Sequence, residues 1–182
     1  MQLEKTNKNL KAIRIILKWM LISMISFTTF NLFITSEYEF ERSIKIDASI
    51  DSVYNHLSDL HNWPKWAVWW KNDSTIVTEF NEVKLGKGAS MKWKGEEVGE
   101  GGLEIISCSN EELEIKFNFG DMTPNGFFEF EEIDGVTKVI WRMKGEMPFF
   151  IRFMTLFMDK MAGPDLEEGL KRLKDVCEVV KY

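Results

Sequence analysis

The chain has 182 residues, a net charge of −6 and a pI of about 5.1. Its 45% hydrophobic and 29% charged residues indicate a globular protein with a core and exclude a disordered chain. The acidic balance argues against nucleic acid as a partner, because phosphate binding needs a clustered basic surface. Two cysteines, Cys108 and Cys177, are too few for a disulfide framework and lack the spacing of a metal site. We expect each of them to be a small buried apolar residue of the core. They could form a disulfide only if the fold brings them together.

The N-terminal 36 residues differ in character from residues 37–182, which form one domain without a linker. Five basic residues precede the uncharged run 19–34, and they are Lys5, Lys8, Lys11, Arg14 and Lys18. Counted from Ala12, the stretch is long enough for a hydrocarbon core about 30 Å thick. We predict a membrane-spanning signal anchor over residues 12–34, with a cytoplasmic N-terminus and an extracytoplasmic domain. The alternatives are a cleaved signal peptide, which would make the domain secreted, and a buried helix of a soluble protein.

Alternating apolar and polar residues predict the first strand from Tyr38 onward. One face of that strand places a charge among apolar residues: Phe40, Arg42, Ile44 and Ile46. Capping residues at 47–49 precede a helix predicted over residues 50–60. The next segment, residues 61–70, holds four of the seven tryptophans around Pro64, which disfavours continuation of a helix. We expect Trp69 and Trp70 to lead into the second strand.

The remaining strands are predicted over residues 74–80, 89–93, 98–108, 113–119, 126–132 and 136–143. Asp134 and Gly135 tolerate the left-handed conformation and predict a hairpin between the last two. An apolar, Met-rich helical segment over residues 149–161 follows. Gly163 and Pro164 interrupt it, and a final helix begins at Asp165. The inner face of that helix is expected to carry Leu166, Leu170, Leu173 and Cys177.

Several segments carry a resemblance to a known superfamily. "ERSIKIDASIDSVYNHLSDLHNWPKWAVWW" resembles the opening of SRPBCC proteins, the START-related helix-grip superfamily, in its polyketide cyclase/dehydrase branch. "LGKGASMKWKGEEVGEG" resembles the third and fourth strands of this branch, "GVTKVIWRMKGEM" its seventh, and "LFMDKMAGPDLEEGLKRLKDV" its C-terminal helix. The resemblance runs from about residue 38 to the end. It implies an α+β helix-grip fold, in which a seven-stranded antiparallel sheet wraps a long C-terminal helix after two short helices. An N-terminal membrane helix is also familiar in this branch.

The resemblance further implies a cavity between the sheet and the last helix, which would bind a hydrophobic small molecule or lipid. Its expected wall consists of Trp66, Trp69, Trp93, Phe117, Phe119, Trp141, Phe157 and Met161. Ordinary core packing is the alternative for Trp66 and Trp69, and the expectation for Trp63. Arg42 is the strongest candidate for an inward charge, held by Glu100 or Glu104, or by the anionic head of a ligand.

No catalytic constellation is recognisable, since His56 and His61 belong to no motif, and we expect neither a metal nor a cofactor. The leading hypothesis is non-catalytic binding of a hydrophobic ligand by a membrane-tethered domain. One alternative is a cyclase or dehydratase-type enzyme. Another is an interaction or stress-response module whose cavity is filled by its own side chains. Segment 149–161 is expected to pack under the final helix or to touch a bilayer. The oligomeric state is left open.

Overall fold

A curled antiparallel sheet of seven strands dominates the computed structural model, which describes residues 2–109 and 111–178. The strands are β1 (Glu37–Ile46), β2 (Val77–Phe80), β3 (Ser90–Gly95), β4 (Gly99–Cys108), β5 (Glu112–Asn118), β6 (Asn125–Ile133) and β7 (Val136–Glu146). Their order across the sheet is β1-β7-β6-β5-β4-β3-β2, so only the β1–β7 pairing joins strands distant in sequence. The predicted helix-grip fold with seven strands is confirmed.

Helical elements surround the sheet. They are α1 (Gln2–Leu32), α2 (Ile50–Ser58), a 3₁₀ turn (Leu60–Asn62), α3 (Trp63–Trp66), α4 (Val68–Asn72), a 3₁₀ segment (Phe149–Phe157) and α5 (Met158–Glu178). Pro64 stands in the first turn of α3, where its missing N–H is not needed, so it starts a new helix after α2 has ended. Extended backbone at Ala67 then separates α3 from α4. Trp69 and Trp70 therefore lie in a further short helix, which is the last element before β2.

The C-terminal helix is longer than predicted. α5 begins at Met158 and continues through Gly163 and Pro164, so the predicted interruption there is wrong. At Gly163 the helix runs close to β1, because a Cβ there would meet the guanidinium of Arg42. The predicted inner face is confirmed, since its members are all buried: Leu166, Leu170, Leu173 and Cys177.

The N-terminal helix α1 covers most of the stretch for which a membrane anchor is predicted and ends at Leu32. Its large apolar side chains from Leu10 onward are exposed. In the part of the chain that the structure describes, no helix combines the length and the apolar character needed to cross a membrane. The side chains of Lys5 and Lys8 lie outside the described residues.

The hydrophobic core lies between α5 and the concave face of the sheet. On β5, Leu113, Ile115 and Phe117 are fully buried while the intervening residues reach solvent, as the alternation predicts. Phe128 and Trp141 face each other across β6 and β7 in the same layer. The sheet and α5 thus share the interior that the sequence pattern predicts.

A buried carboxylate connects two loops at the edge of the sheet. Asp73 follows α4 and accepts hydrogen bonds from the backbone N–H groups of Glu97 and Val98, which belong to the β3–β4 turn. Thr75 donates to it through both its hydroxyl and its N–H. The Thr75 hydroxyl and these backbone amides hold the pKa of Asp73 well below its usual range, although burial opposes the shift.

Candidate functional site

Tryptophan rings fill the inner half of the space between the sheet and α5. Trp63 and Trp66 are completely buried, with ring centroids 4.6 Å apart. Their indole N–H groups donate to carbonyl oxygens of α2 at 2.9 and 3.3 Å. Trp66 also lies 5.8 Å from the ring of Trp141, and Gly169 lets α5 approach this pair, because a Cβ there would stand 3.0 Å from Trp141. The core role predicted for Trp63 is confirmed, and Trp66 is packed in the same layer.

Apolar side chains of α4, of the loop after β5 and of the start of α5 pack against the core but are only partly buried. We call this set the open end: Trp69, Phe119, Met122, Met158 and Ala162. Trp69 stacks on Trp93 at a centroid distance of 5.7 Å and meets Phe119 edge to face at 5.9 Å. Three of the predicted wall residues therefore form one aromatic surface here, with Phe117 stacked behind Phe119 at 5.8 Å.

The indole N–H of Trp141 lies in the buried layer, beside Gly126 of β6. The side chain is 2% exposed, and within the described residues no group accepts a hydrogen bond from Nε1. Gly126 on the neighbouring strand makes room for the Phe117 ring, since a Cβ there would lie 2.6 Å from it, while Nε1 of Trp141 would lie at a contact distance of 3.4 Å. A buried donor without an acceptor costs about 1–3 kcal/mol. A buried donor of this kind calls for an explanation, and an acceptor atom of a bound molecule is one such explanation.

Four hollows formed by described residues, each of 450 to 660 Å³, lie outside the interior of the grip. They are found on the outer face or rim of the sheet and along α1. The inner half of the grip, by contrast, is occupied by aromatic rings. A ligand in the grip would have to enter at the open end and displace the half-buried side chains there.

Arg42 points inward from β1, as predicted, but its partner is a residue that the sequence did not indicate. Its Nη1 lies 2.7 Å from Oδ1 of Asp159 in the first turn of α5 and also donates to the Glu41 carbonyl at 2.7 Å. The guanidinium rests against Gly163. This charge therefore ties β1 to the start of α5.

Glu100 and Glu104 do share a strand face, but it is the outer one, so their prediction as inward partners of Arg42 is wrong. Leu103 and Ile105 take the inward positions of β4 and are buried. Glu100 is exposed and forms an ion pair with Lys94 of β3. The physical reason is the phase of the strand, since adjacent positions point to opposite faces.

Phe157 and Met161 do not line the interior. Their side chains are 51% and 56% exposed, because the inward positions at this point of the chain are taken by Met158 and Ala162. Their prediction as cavity wall is therefore wrong in this structure. Their exposure leaves an apolar surface beside the open end.

An acidic side chain near the site was missed by the sequence analysis. Asp165 is half-buried, and burial raises the pKa of its carboxyl group. It lies one helical turn before Gly169, on the face of α5 that approaches Trp66 and Trp141. The sequence pattern favoured a helix start at Asp165, which concealed this inward phase.

Three further side chains are of types that often carry chemistry: His61, Cys108 and Cys177. His61 lies on the surface, 3.0 Å from the carboxylate of Asp59 and stacked on Phe80 at 4.0 Å. Both cysteines are free, and burial raises the pKa of Cys177 to about 12. Among the described residues, no group of three or more His, Cys, Asp or Glu side chains is placed to hold a metal ion.

The antiparallel sheet closed on a long C-terminal helix, with an aromatic site at the start of that helix, defines a helix-grip protein of the SRPBCC superfamily. A family model described as "Polyketide cyclase / dehydrase and lipid transport" matches residues 37–178. The chain belongs to this family. A comparison with curated protein sequences gave no match.

Solved structures share the fold at low sequence identity. Norcoclaurine synthase from Thalictrum flavum, in complex with dopamine and hydroxybenzaldehyde, is 14% identical, with 84% of this chain and 93% of that chain covered and a TM-score of 0.60. The di-domain ARO/CYC protein BexL of the BE-7585A biosynthetic pathway is also 14% identical, with 79% and 50% covered and a TM-score of 0.59. Ara h 8.0201 is 11% identical, with 79% and 99% covered and a TM-score of 0.57. These similarities establish that the chain shares the fold of these proteins.

Proposed function

We propose that the protein binds a hydrophobic small molecule or lipid that carries a hydrogen-bond acceptor, at the open end of the grip. The observation that carries this proposal is the buried indole N–H of Trp141, which has no acceptor among the described residues. A ligand carbonyl or ether oxygen placed there would accept this hydrogen bond. Its apolar part would lie against the aromatic rings of Trp69 and Phe119.

The packing at the open end supports entry of a ligand from that side. Trp69, Phe119 and Met122 are only partly buried, so each can turn outward at a smaller cost than a fully buried core residue. Methionine and aromatic side chains also adapt to apolar partners of varied shape. The fixed inner layer around Trp66 would then form the floor of the site.

The relatives support an organic ligand of modest size. The family description names polyketide cyclases and lipid transport, and the structure of norcoclaurine synthase holds dopamine and hydroxybenzaldehyde. Those molecules combine an aromatic or apolar body with oxygen atoms. The same combination is what the Trp141 N–H and its aromatic surroundings would recognise in this chain.

The test compares two fluorescent naphthalene probes of similar size, one bearing a methyl ketone and the other an ethyl group. Replacing Trp141 by Phe removes the N–H and keeps an aromatic ring. A single neutral hydrogen bond contributes about 0.5–1.5 kcal/mol, so Trp141→Phe should weaken ketone binding about two- to twelvefold. Affinity for the hydrocarbon probe should not change by a comparable factor.

Thermal unfolding of the variant, measured in parallel, controls for loss of the fold. Equal weakening for both probes would remove the hydrogen bond from the proposal. Failure of the parent chain to bind either probe would favour the alternative in which the protein's own side chains fill the grip.

Asp165 supports a second candidate function, proton transfer in a cyclase or dehydratase-type reaction. Its raised pKa keeps the protonated form present at higher pH than for an exposed carboxyl group, as a general acid requires. Asp165→Asn preserves the size of the side chain and removes the titration. If turnover of a bound probe is observed, this variant should abolish it, whereas unchanged turnover would eliminate Asp165 as the acid.

A further inference from the structure

Exposed apolar side chains at and just after the end of α1, in the 3₁₀ segment and in the first turn of α5 form a second candidate surface, separate from the grip. The large side chains in question are exposed by 51–86% of their area, and we call them the junction patch: Phe30, Phe33, Phe150, Leu156, Phe157 and Met161. Contiguous exposed apolar surface of this kind marks an interaction site. We propose that the junction patch docks onto the surface of an anionic lipid bilayer.

A buried asparagine fixes the two halves of the patch relative to each other. Asn31 of α1 is completely buried, and its Oδ1 accepts a hydrogen bond from the backbone N–H of Phe153 at 3.2 Å. Its Nδ2 donates to the carbonyl of Phe27 at 3.0 Å, and the rings of Phe27 and Phe153 meet edge to face at 5.8 Å. The end of α1 and the 3₁₀ segment therefore present their exposed side chains as one unit.

The exposure pattern of α1 distinguishes a lipid from a protein partner. Side chains exposed by more than half of their area occur at nearly consecutive positions and so on every face of the helix: Ile13, Ile15, Ile16, Leu17, Trp19, Met20, Leu21 and Ile22. A second copy of the chain would cover one stripe of such a helix and leave the others in water. A helix that is apolar on every face is typically covered by lipid or by the core of a large protein.

The segments that form the junction patch carry positive charge, which an anionic lipid surface attracts. Residues 5–36 and 147–158 together hold six of the 23 basic residues and none of the 29 acidic ones, although the whole chain has a net charge of −6. Attraction between basic groups and anionic headgroups contributes on the order of 1 kcal/mol for each group near the surface. The acidic remainder of the domain would be repelled, which orients the junction patch toward the lipid.

This orientation has a consequence for the grip. The 3₁₀ segment continues directly into α5, whose first turn holds Met158 of the open end and the Asp159–Arg42 ion pair. Docking of the patch would therefore bring the open end close to the bilayer. The proposal stands without any ligand in the grip, because it depends only on exposed side chains and charge.

The experiment places an environment-sensitive nitrobenzoxadiazole label on single cysteines in the full-length chain, with Cys108 replaced by Ala and Cys177 buried. Phe157→Cys reports on the patch. Ile133→Cys, at a site with comparable exposure in the β6–β7 hairpin, is the matched control. Vesicles of phosphatidylcholine with added phosphatidylglycerol should raise and blue-shift the emission of the label at position 157 and leave position 133 unchanged.

A second pair of variants measures the contribution of the patch to binding. Leu156→Asp combined with Phe157→Asp should weaken vesicle binding at least about tenfold, since apolar contact is lost and negative charge is added. Ile133→Asp should not. The proposal is overturned if vesicles bind the chain without any change at position 157, if both labels respond equally, or if the label at 157 is buried in a dimer without lipid.

Discussion

Alanine substitutions at two adjacent tryptophans test whether the grip has a filled inner half and a ligand-binding open end. Trp66 is fully buried and donates a hydrogen bond to α2, so Trp66→Ala should cost about 3–5 kcal/mol for the cavity and about 1 kcal/mol for the lost hydrogen bond. Trp69 is only partly buried and stacks on Trp93. Trp69→Ala should therefore cost roughly half as much, about 2 kcal/mol.

The assay pairs urea unfolding with titration of the naphthyl ketone probe on the same protein samples. We expect Trp69→Ala to change probe affinity by more than fivefold, a threshold of about 1 kcal/mol, because the aromatic wall is removed while the fold survives. Trp63→Ala serves as the core control, because Trp63 is as fully buried as Trp66 and does not belong to the open end. The reasoning is refuted if Trp69→Ala loses as much stability as Trp66→Ala and leaves the probe affinity of the folded protein unaltered.

Three further outcomes follow from the packing and the charges. Gly101→Ala should destabilise the fold by about 1–3 kcal/mol in urea unfolding, because its Cβ would collide with the Trp93 ring, and an unchanged urea midpoint would contradict this packing. Asp73 has a depressed pKa, so its stabilisation is complete above its unfolded pKa of about 3.9 and is lost as the pH falls toward the folded value. Urea midpoints should drop below about pH 5 in the parent, and Asp73→Asn should remove part of this dependence; a parallel decline in both proteins would contradict the assignment. Cys177, buried and with a pKa of about 12, should react with a thiol reagent only on unfolding, and rapid labelling of the native protein would show that the end of α5 is open.

The strands were predictable because their alternation records which face is buried. Leu113, Ile115 and Phe117 alternate with charged residues, and the structure buries each of them. A spacing of three and four residues, typical of a helix, identified the inner face of α5. Where two phases were both compatible with the sequence, as for Glu104 next to Leu103, a period of two alone did not say which residue points inward.

The site was less predictable because it depends on contacts between distant elements. Nothing local to Trp141 indicates that its N–H lacks an acceptor, since that depends on which groups the other strands and α5 place around the ring. The ion pair of Arg42 with Asp159 depends on the uninterrupted start of α5, which the Gly163-Pro164 pair concealed. A local helix-breaking signal was outweighed by tertiary packing there.

The most direct test of ligand binding at Trp141 is an NMR titration of the chain labelled with ¹⁵N-tryptophan. Its seven indole N–H groups each give one signal, and the signal absent from Trp141→Phe identifies Trp141. Adding the naphthyl ketone probe should move the Trp141 signal downfield as its N–H gains an acceptor and should also shift Trp69 at the open end. A titration in which the probe binds and other indole signals move, while that of Trp141 stays unchanged, would contradict the account.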